Sequence, residues 1–336
     1  MNIKLDQLKN SFPLPNRWKN IQCFNESVVI ENIVINLVGL SVESTEGKMI
    51  CGSAAEFTQI PFERAYFELL ERCWTNEYYI DQKQLVEIYD QNFIRTGISP
   101  FESVLGSECN NKEWTFSKSN GVAVQRTFEK AYQGAVCELV ERHLVLSSWY
   151  FQKRPEKLSF KPTKELLALS NIYRCDAFHF GSMQIGQNLV NACGFFLIPK
   201  IEGIPLVYGL GADFDQSLAI LKSQKECIQR LGFLWGEEIP KIPPEVTSTP
   251  DFHQEYFLTP KGTVLIENWL YQDRKDECSD EASCMDFKII NLTPAIAKNN
   301  FKLIKVIGEK IIPLTFGPGN PMVKNLKSEL LVHPVV

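Results

Sequence analysis

Glu68-Leu-Leu-Glu71-Arg72, Glu138-Leu-Val-Glu141-Arg142 and Glu226-Cys-Ile-Gln229-Arg230 are three near-copies of one five-residue pattern, each late in a stretch of helical periodicity. Positions i, i+3 and i+4 share a helix face, so each copy presents acid, acid or amide, and guanidinium in one narrow stripe. The flanks are apolar: Ala65, Tyr66, Phe67, Leu69, Leu70, Cys73 and Trp74 around the first, and Ala131, Tyr132, Ala135, Val136, Cys137, Leu139, Val140 and Leu144 around the second. A single copy reads equally well as a surface Glu–Arg pair contributing about 0.3 kcal/mol. Three copies, two of them with paired acids, ask for more. Partly buried carboxylates one turn apart repel unless a cation or a hydrogen-bond donor lies between them. Clusters of this kind suit Mg²⁺, which combines one or two carboxylates with phosphate oxygens, and a neighbouring Arg suits the phosphates.

The chain has 336 residues, 44% hydrophobic and 22% charged, enough for a substantial core. Its net charge of −5 argues against a nucleic-acid partner. Ten cysteines are scattered with no Cys-x-x-Cys, several among apolar helix positions, which points away from zinc and from a disulfide framework. The first ten residues lack an apolar signal core, and the most apolar stretch, Val28 to Val42, is broken by Glu31, Asn32 and Asn36. A cytoplasmic protein without membrane spans is the expectation.

Around the motifs, residues 27–43 read as strands with a turn near Glu31-Asn32, and 47–55 as a Gly/Ser/Ala loop. Pro61 opens the first motif helix. Residues 87–117 carry a short strand and a polar loop. Ser119-Asn120-Gly121 is a turn, Thr127 caps the second motif helix, and strands follow at 177–180, 190–198 and 205–210. The third motif helix runs from near Ser217 to Gly232. A proline-marked loop over 240–250, strands at Thr263–Ile266 and Phe301–Ile307, and a surface loop at Asp273–Ser283 complete the pattern. Strands and helices do not alternate as βαβ units, so an α+β fold is predicted. No Walker or Rossmann glycine pattern exists, so a bound nucleotide would be held by side chains.

The stretch Ser119-Asn-Gly-Val-Ala-Val-Gln-Arg-Thr-Phe-Glu-Lys-Ala, running into Glu138-Leu-Val-Glu141-Arg142, resembles the YcaO family, whose members carry Ser-Asn-Gly-Leu-Ala-x-Gly-Asn-Thr-x-Glu-Glu-Ala before Glu-Leu-x-Glu-Arg-Asp. The other motifs fall in that family's order: Gly52 through Arg72, and Gly209-Leu-Gly-Ala-Asp213-Phe-Asp215 through Glu226 and Gln229. The likeness spans about residues 45–236 and implies a single YcaO-like domain over 1–336, with 237–336 as a strand-containing C-terminal part.

The resemblance implies an enzyme using ATP and Mg²⁺ to phosphorylate a backbone amide oxygen of a ribosomally made peptide, with azoline-forming cyclodehydration toward thiazole and oxazole as the principal outcome. It implies that Glu68, Glu71, Glu138 and Glu141 hold Mg²⁺ with the phosphates. Arg72 and Arg142 would pair with phosphate or orient the acids, and Glu226 and Gln229 would close the third wall. Where the family has Gly-Asn this chain has Gln125-Arg126, and Lys130, His143 and Asp213 replace Glu, Asp and His. Arg126 and Lys130 could clamp phosphate directly but cannot coordinate metal. The chain also ends with one proline, Pro334, where azoline-forming members carry a proline-repeat tail.

His143, among apolar neighbours, is either a proton carrier or, as is more common for such a position, structural. Asp213 and Asp215 read either as metal ligands or as a turn and N-cap. Two functional readings follow: an ATP-dependent enzyme, or a degenerate member that binds a peptide or partner protein without turnover. The expected partners are a precursor peptide and a leader-binding protein, with a homodimer as an open alternative.

Overall fold

The computed structural model describes residues 2–109, 113–245, 247–272, 286–297 and 300–335. The chain opens with α1 (Asn2–Ser11), β1 (Trp18–Ile30), β2 (Ile33–Ser44), β3 (Met49–Glu56), α2 (Phe62–Ile80), β4 (Leu85–Tyr89), β5 (Arg95–Pro100) and α3 (Phe101–Cys109). Next come β6 (Thr115–Phe116), β7 (Val122–Gln125), α4 (Phe128–Tyr150), β8 (Glu156–Leu158), α5 (Lys164–Ala168), β9 (Tyr173–Ile185), β10 (Asn188–Pro199), β11 (Val207–Asp213) and α6 (Gln216–Leu234). It closes with α7 (Pro250–Leu258), α8 (Pro260–Tyr271), β12 (Phe287–Asn291), β13 (Lys302–Gly308) and β14 (Thr315–Phe316). The sheets are antiparallel and the fold is α+β, as the absence of βαβ alternation predicts.

Two compact units interleave along the sequence: Met1–Cys109, Lys118–Leu139 and Asp286–Glu309 form the first, and Asn110–Ser117, Val140–Met285 and Lys310–Val336 the second. In the first unit, β1-β2-β3 make one sheet and β5-β4-β12-β13-β7 another. The β1–β2 hairpin turns at Glu31, whose φ of 52° is the left-handed geometry such a turn needs. Helix α2 buries Ala65, Tyr66, Leu69, Leu70 and Cys73, and joins a core with Val38, Leu40 and Leu303.

In the second unit, β8 to β11 form a sheet in the order β11-β10-β9-β8. Phe180 stacks on Trp269 at 5.0 Å between centroids, and Trp149 meets Trp269 edge-on at 5.3 Å, geometries that aromatic quadrupoles favour. Asp215 caps α6 by accepting the amides of Ser217 and Leu218, the N-cap alternative for that residue.

Several local expectations are corrected. Residues 47–55 are largely strand β3, not a loop, because their small side chains let the strand lie against α2. Thr263–Ile266 is helical: Thr259 accepts the Gly262 amide, Pro260 sits in the first turn, and Ile266, Trp269 and Leu270 are buried along one face of α8. These caps and contacts override the β-branched run. Helix α6 passes through Gly232 to Leu234, and Gly236, at φ 84°, takes the left-handed position after it. Pro61 is the N-cap residue, not the first helical one. Residues 87–117 contain β4, β5, α3 and β6. Asp273–Ser283, with Cys278, lies outside the described residues, as does Cys284.

Candidate functional site

One local device is built three times. A glycine precedes a residue whose backbone N–H donates to the first glutamate of a motif. Ser53 donates to Glu68 Oε2 at 2.7 Å, Val122 to Glu138 Oε2 at 3.0 Å, and Leu210 to Glu226 Oε2 at 3.3 Å. The glycines show why no other residue serves. A Cβ on Gly52 would lie 2.4 Å from the Leu69 nitrogen, and one on Gly209 would lie 2.2 Å from the Cys227 nitrogen. Backbone must touch helix there so that the next amide reaches the carboxylate. Gly121 has φ +66°, and a Cβ on it would meet the Val306 carbonyl at 2.5 Å. In each case the backbone amide fixes the direction of one carboxylate oxygen.

The first unit brings together Glu68, Glu71, Arg72 and Glu138. Glu71 accepts the Val124 amide at 3.1 Å. Its carboxyl titrates well above the usual carboxylate range, chiefly because burial penalises the anion and then because Glu138 and Glu68 lie close; the Val124 amide and Arg72 pull the other way. Arg72 Nη2 pairs with Glu68 Oε1 at 2.6 Å, and its Nη1 donates to the Cys51 carbonyl at 3.0 Å. That pair is exposed enough to contribute only about 0.2–1 kcal/mol, so it orients more than it stabilises.

Glu141 lies one turn beyond Glu138 on α4 and within the second unit, where its charge acts on Cys193 of β10. Glu226 and Gln229 share a face of α6. Arg230 lies 4.2 Å over the Tyr208 ring, and the Tyr208 hydroxyl donates to the Pro334 carbonyl at 2.6 Å. The apolar C-terminal residues are therefore docked: Val332, His333 and Val335 are buried, and His333 packs on His253 at 4.2 Å between ring centroids. His143 Nδ1 accepts the Ile312 amide at 3.0 Å, a structural use of that imidazole. Arg142 is half-buried on α4.

Arg126 and Lys130 are exposed. Arg126 lies 5.2 Å over the Phe12 ring and 3.9 Å from Glu63, neither of them a motif acid. The Lys130 amide donates to Thr127 Oγ1, so Thr127 is a cap. Asp213 pairs with Lys222 at 2.8 Å and accepts the Asp215 amide, so it serves the turn. Cys137 and Cys227 are packed among buried neighbours.

Glu71 and Glu138 offer two neighbouring carboxylates, and Mg²⁺ with nucleotide asks the protein for one or two. Among the described residues no three His, Cys, Asp or Glu side chains converge into a ready-made cage. Mg²⁺ characteristically takes one or two carboxylates and fills its remaining positions with water and phosphate oxygen. Burial is the main reason the Glu71 carboxyl is raised and the nearby Glu138 charge the second, a repulsion that a divalent cation between them would relieve.

The amide donors Ser53, Val122, Val124 and Leu210 escape sequence reasoning. One signal points to three of them: a glycine lies 16, 17 and 17 residues before Glu68, Glu138 and Glu226.

Residues 71–288 match the family described as YcaO cyclodehydratase, ATP- and Mg²⁺-binding. The chain belongs to the YcaO family, and ATP and Mg²⁺ are the cofactors of that class. YcaO from Methanopyrus kandleri bound with AMPPCP and Mg²⁺ has a similar fold, with a TM-score of 0.60 at 17% identity over 91% of this chain and 88% of that one. A heterocyclase in complex with substrate and cofactor gives 0.57 at 14% identity over 91% of this chain but 52% of that longer one. The E. coli microcin synthetase McbBCD complex gives 0.55 at 14% identity over 86% and 88%. No curated protein sequence matches. Among the described residues no helix is long and apolar enough to cross a membrane.

Proposed function

We propose that this chain activates a backbone amide of a ribosomally made peptide by ATP-dependent O-phosphorylation, leading to azoline formation. The observation that carries the reading is the close Glu71–Glu138 pair, each acid aimed by a strand amide, Val124 for Glu71 and Val122 for Glu138. Within the first unit, Glu68, Glu71 and Glu138 would hold Mg²⁺ with the phosphates, and Arg72 would orient the acids or pair with phosphate. ATP supplies the phosphoryl group that turns a poor leaving oxygen into phosphate. The chain's own residues then act by position and charge: they fix the acids before substrate arrives, so little reorganisation is needed as charge develops.

In the peptide, a Cys, Ser or Thr side chain attacks the preceding carbonyl carbon and gives up its proton. The amide nitrogen gives up its proton and the amide oxygen departs as phosphate, leaving a carbon–nitrogen double bond in the new ring. A similar fold is found in a substrate-bound heterocyclase and in a multi-chain synthetase, which supports a peptide substrate and a leader-binding partner for this chain. Arg126 and Lys130, cations where the family motif has Asn and Glu, favour a second reading in which the fold binds a peptide or partner without turnover.

Mass spectrometry of candidate precursor peptides, incubated with the protein, a leader-binding partner and Mg²⁺–ATP, separates the two. Loss of water from the peptide with matched phosphate release, absent in Glu71→Gln, supports the enzyme. Peptide binding that ignores nucleotide, with no mass change, supports the second reading.

A further inference from the structure

Lys305 lies outside the residues that match the family and is fully buried on β13. Its ammonium donates to the Asn120 carbonyl at 2.9 Å and stands 3.5 Å from Glu108 Oε2, which also accepts the Tyr79 hydroxyl at 3.0 Å. A buried ammonium is costly, and replacing such a pair with apolar side chains is often neutral or stabilising, so fold stability alone is a weak reason for it.

What Lys305 holds is specific. Asn120 opens the turn whose next residues are Gly121, in the left-handed region, and Val122, the amide donor to Glu138. The same turn is tied to β13 by the Val306 amide, which donates to the Gly121 carbonyl at 2.8 Å. Lys305 pairs with Val122 in the β13–β7 ladder, and two residues along β7 the Val124 amide holds Glu71. One buried cation therefore sits behind the short segment that aims two acids.

We propose that Lys305 is a positioning residue for the Mg²⁺–nucleotide site, setting the Asn120–Val124 segment so that its amides meet Glu138 and Glu71; this inference rests on the nucleotide reading of those acids. A lysine is suited to the task because its ammonium reaches a carbonyl and a carboxylate at once from a strand buried on both faces.

The test compares Lys305→Met, the paired change Lys305→Met with Glu108→Gln that leaves no uncompensated charge, Glu108→Gln alone, and Lys305→Arg. Calorimetric titration with Mg²⁺–AMPPCP is read beside hydrogen exchange at the Val122 and Val124 amides, with the β9–β10 amides as a distant reference. The paired variant is expected to bind the nucleotide about tenfold more weakly, the scale of losing one charged hydrogen bond, and to exchange faster at Val122 and Val124 but not in β9–β10. Glu108→Gln, which strands the ammonium but keeps the Lys305–Asn120 bond, should lower overall stability while weakening nucleotide binding less than the paired variant does, and Lys305→Arg should restore part of each readout. Unchanged exchange at Val122 and Val124 in the paired variant would overturn the proposal, and so would faster exchange with undiminished affinity. If the wild-type protein binds no nucleotide, the reading of the site fails with it, while the exchange data still decide whether Lys305 positions the segment.

Discussion

Replacing Gly52 by alanine places a Cβ 2.4 Å from the Leu69 nitrogen and 2.5 Å from the Ala65 carbonyl oxygen. Both are backbone atoms of α2, so no side chain can swing away, and the shortfall from ordinary contact is roughly 1 Å. Strand β3 has to retreat by about that distance. The Ser53–Glu68 bond, 2.7 Å in the wild type, then stretches past hydrogen-bonding range. Overpacking costs about 1–3 kcal/mol and a lost bond to a charged acceptor about 1.5–3 kcal/mol, so about 2.5–6 kcal/mol is expected together. That is a large part of the roughly 5–15 kcal/mol by which a folded domain is typically stable.

Chemical denaturation followed by circular dichroism, with Gly97→Ala as control, checks it. A Cβ on Gly97 meets nothing within 4 Å, so that variant should unfold at or slightly above the wild-type midpoint. Gly52→Ala at the wild-type midpoint would refute the close-contact argument. A destabilised but folded Gly52→Ala that orders Glu68 as before would refute its link to the site.

Other consequences are equally open to measurement. Because the folded-state Glu71 carboxyl is raised by burial and by Glu138, its proton must leave before a cation binds. Mg²⁺–nucleotide affinity should therefore rise with pH through the neutral range, with proton uptake by buffer visible when buffers of different ionisation enthalpy are compared. By the same linkage the ligand-free protein loses stability as pH rises from the unfolded glutamate pKa toward the raised folded one, and Glu71→Gln should flatten that slope in pH-dependent denaturation. His253 and His333 are lowered by burial to about 4 and about 3, so the unfolded chain binds protons first as pH drops below its ordinary imidazole pKa. Stability should fall from near pH 6.5 toward about 4, and thermal melts of His333→Asn should show a shallower fall. Tyr208→Phe removes the bond to the Pro334 carbonyl at a cost of about 1 kcal/mol and should make the C-terminal residues easier to cleave with carboxypeptidase.

The three motif helices are legible from sequence because acid, amide and arginine at i, i+3 and i+4 sit in apolar flanks, and no other local structure accommodates that spacing. Strand β3 hides because Gly52, Ser53, Ala54 and Ala55 resemble a flexible loop; their smallness serves close contact with α2 instead. Helix α8 hides behind Thr263-Val-Leu-Ile266, whose β-branched residues suggest a strand until the Thr259 cap and buried Trp269 are known. At the site, the carboxylates can be named from the repeat, but the amides that aim them cannot, since Val124 meets Glu71 from 53 residues away. Lys305 breaks the apolar run Leu303–Ile307, and a lone lysine in such a strand does not by itself signal complete burial. Arg126 and Lys130 are visible as departures, yet where the Arg126 side chain rests, over Phe12 and near Glu63, depends on contacts distant in sequence.

That the amide-held acids form a Mg²⁺–nucleotide site is checked by calorimetric titration of the protein with AMPPCP, with and without Mg²⁺, beside Glu71→Gln and Glu138→Gln. Binding that requires Mg²⁺ and is lost in both variants, with their folds intact by circular dichroism, is the predicted result. Absence of binding at millimolar nucleotide, or Mg²⁺-dependent binding that survives both substitutions, would contradict it.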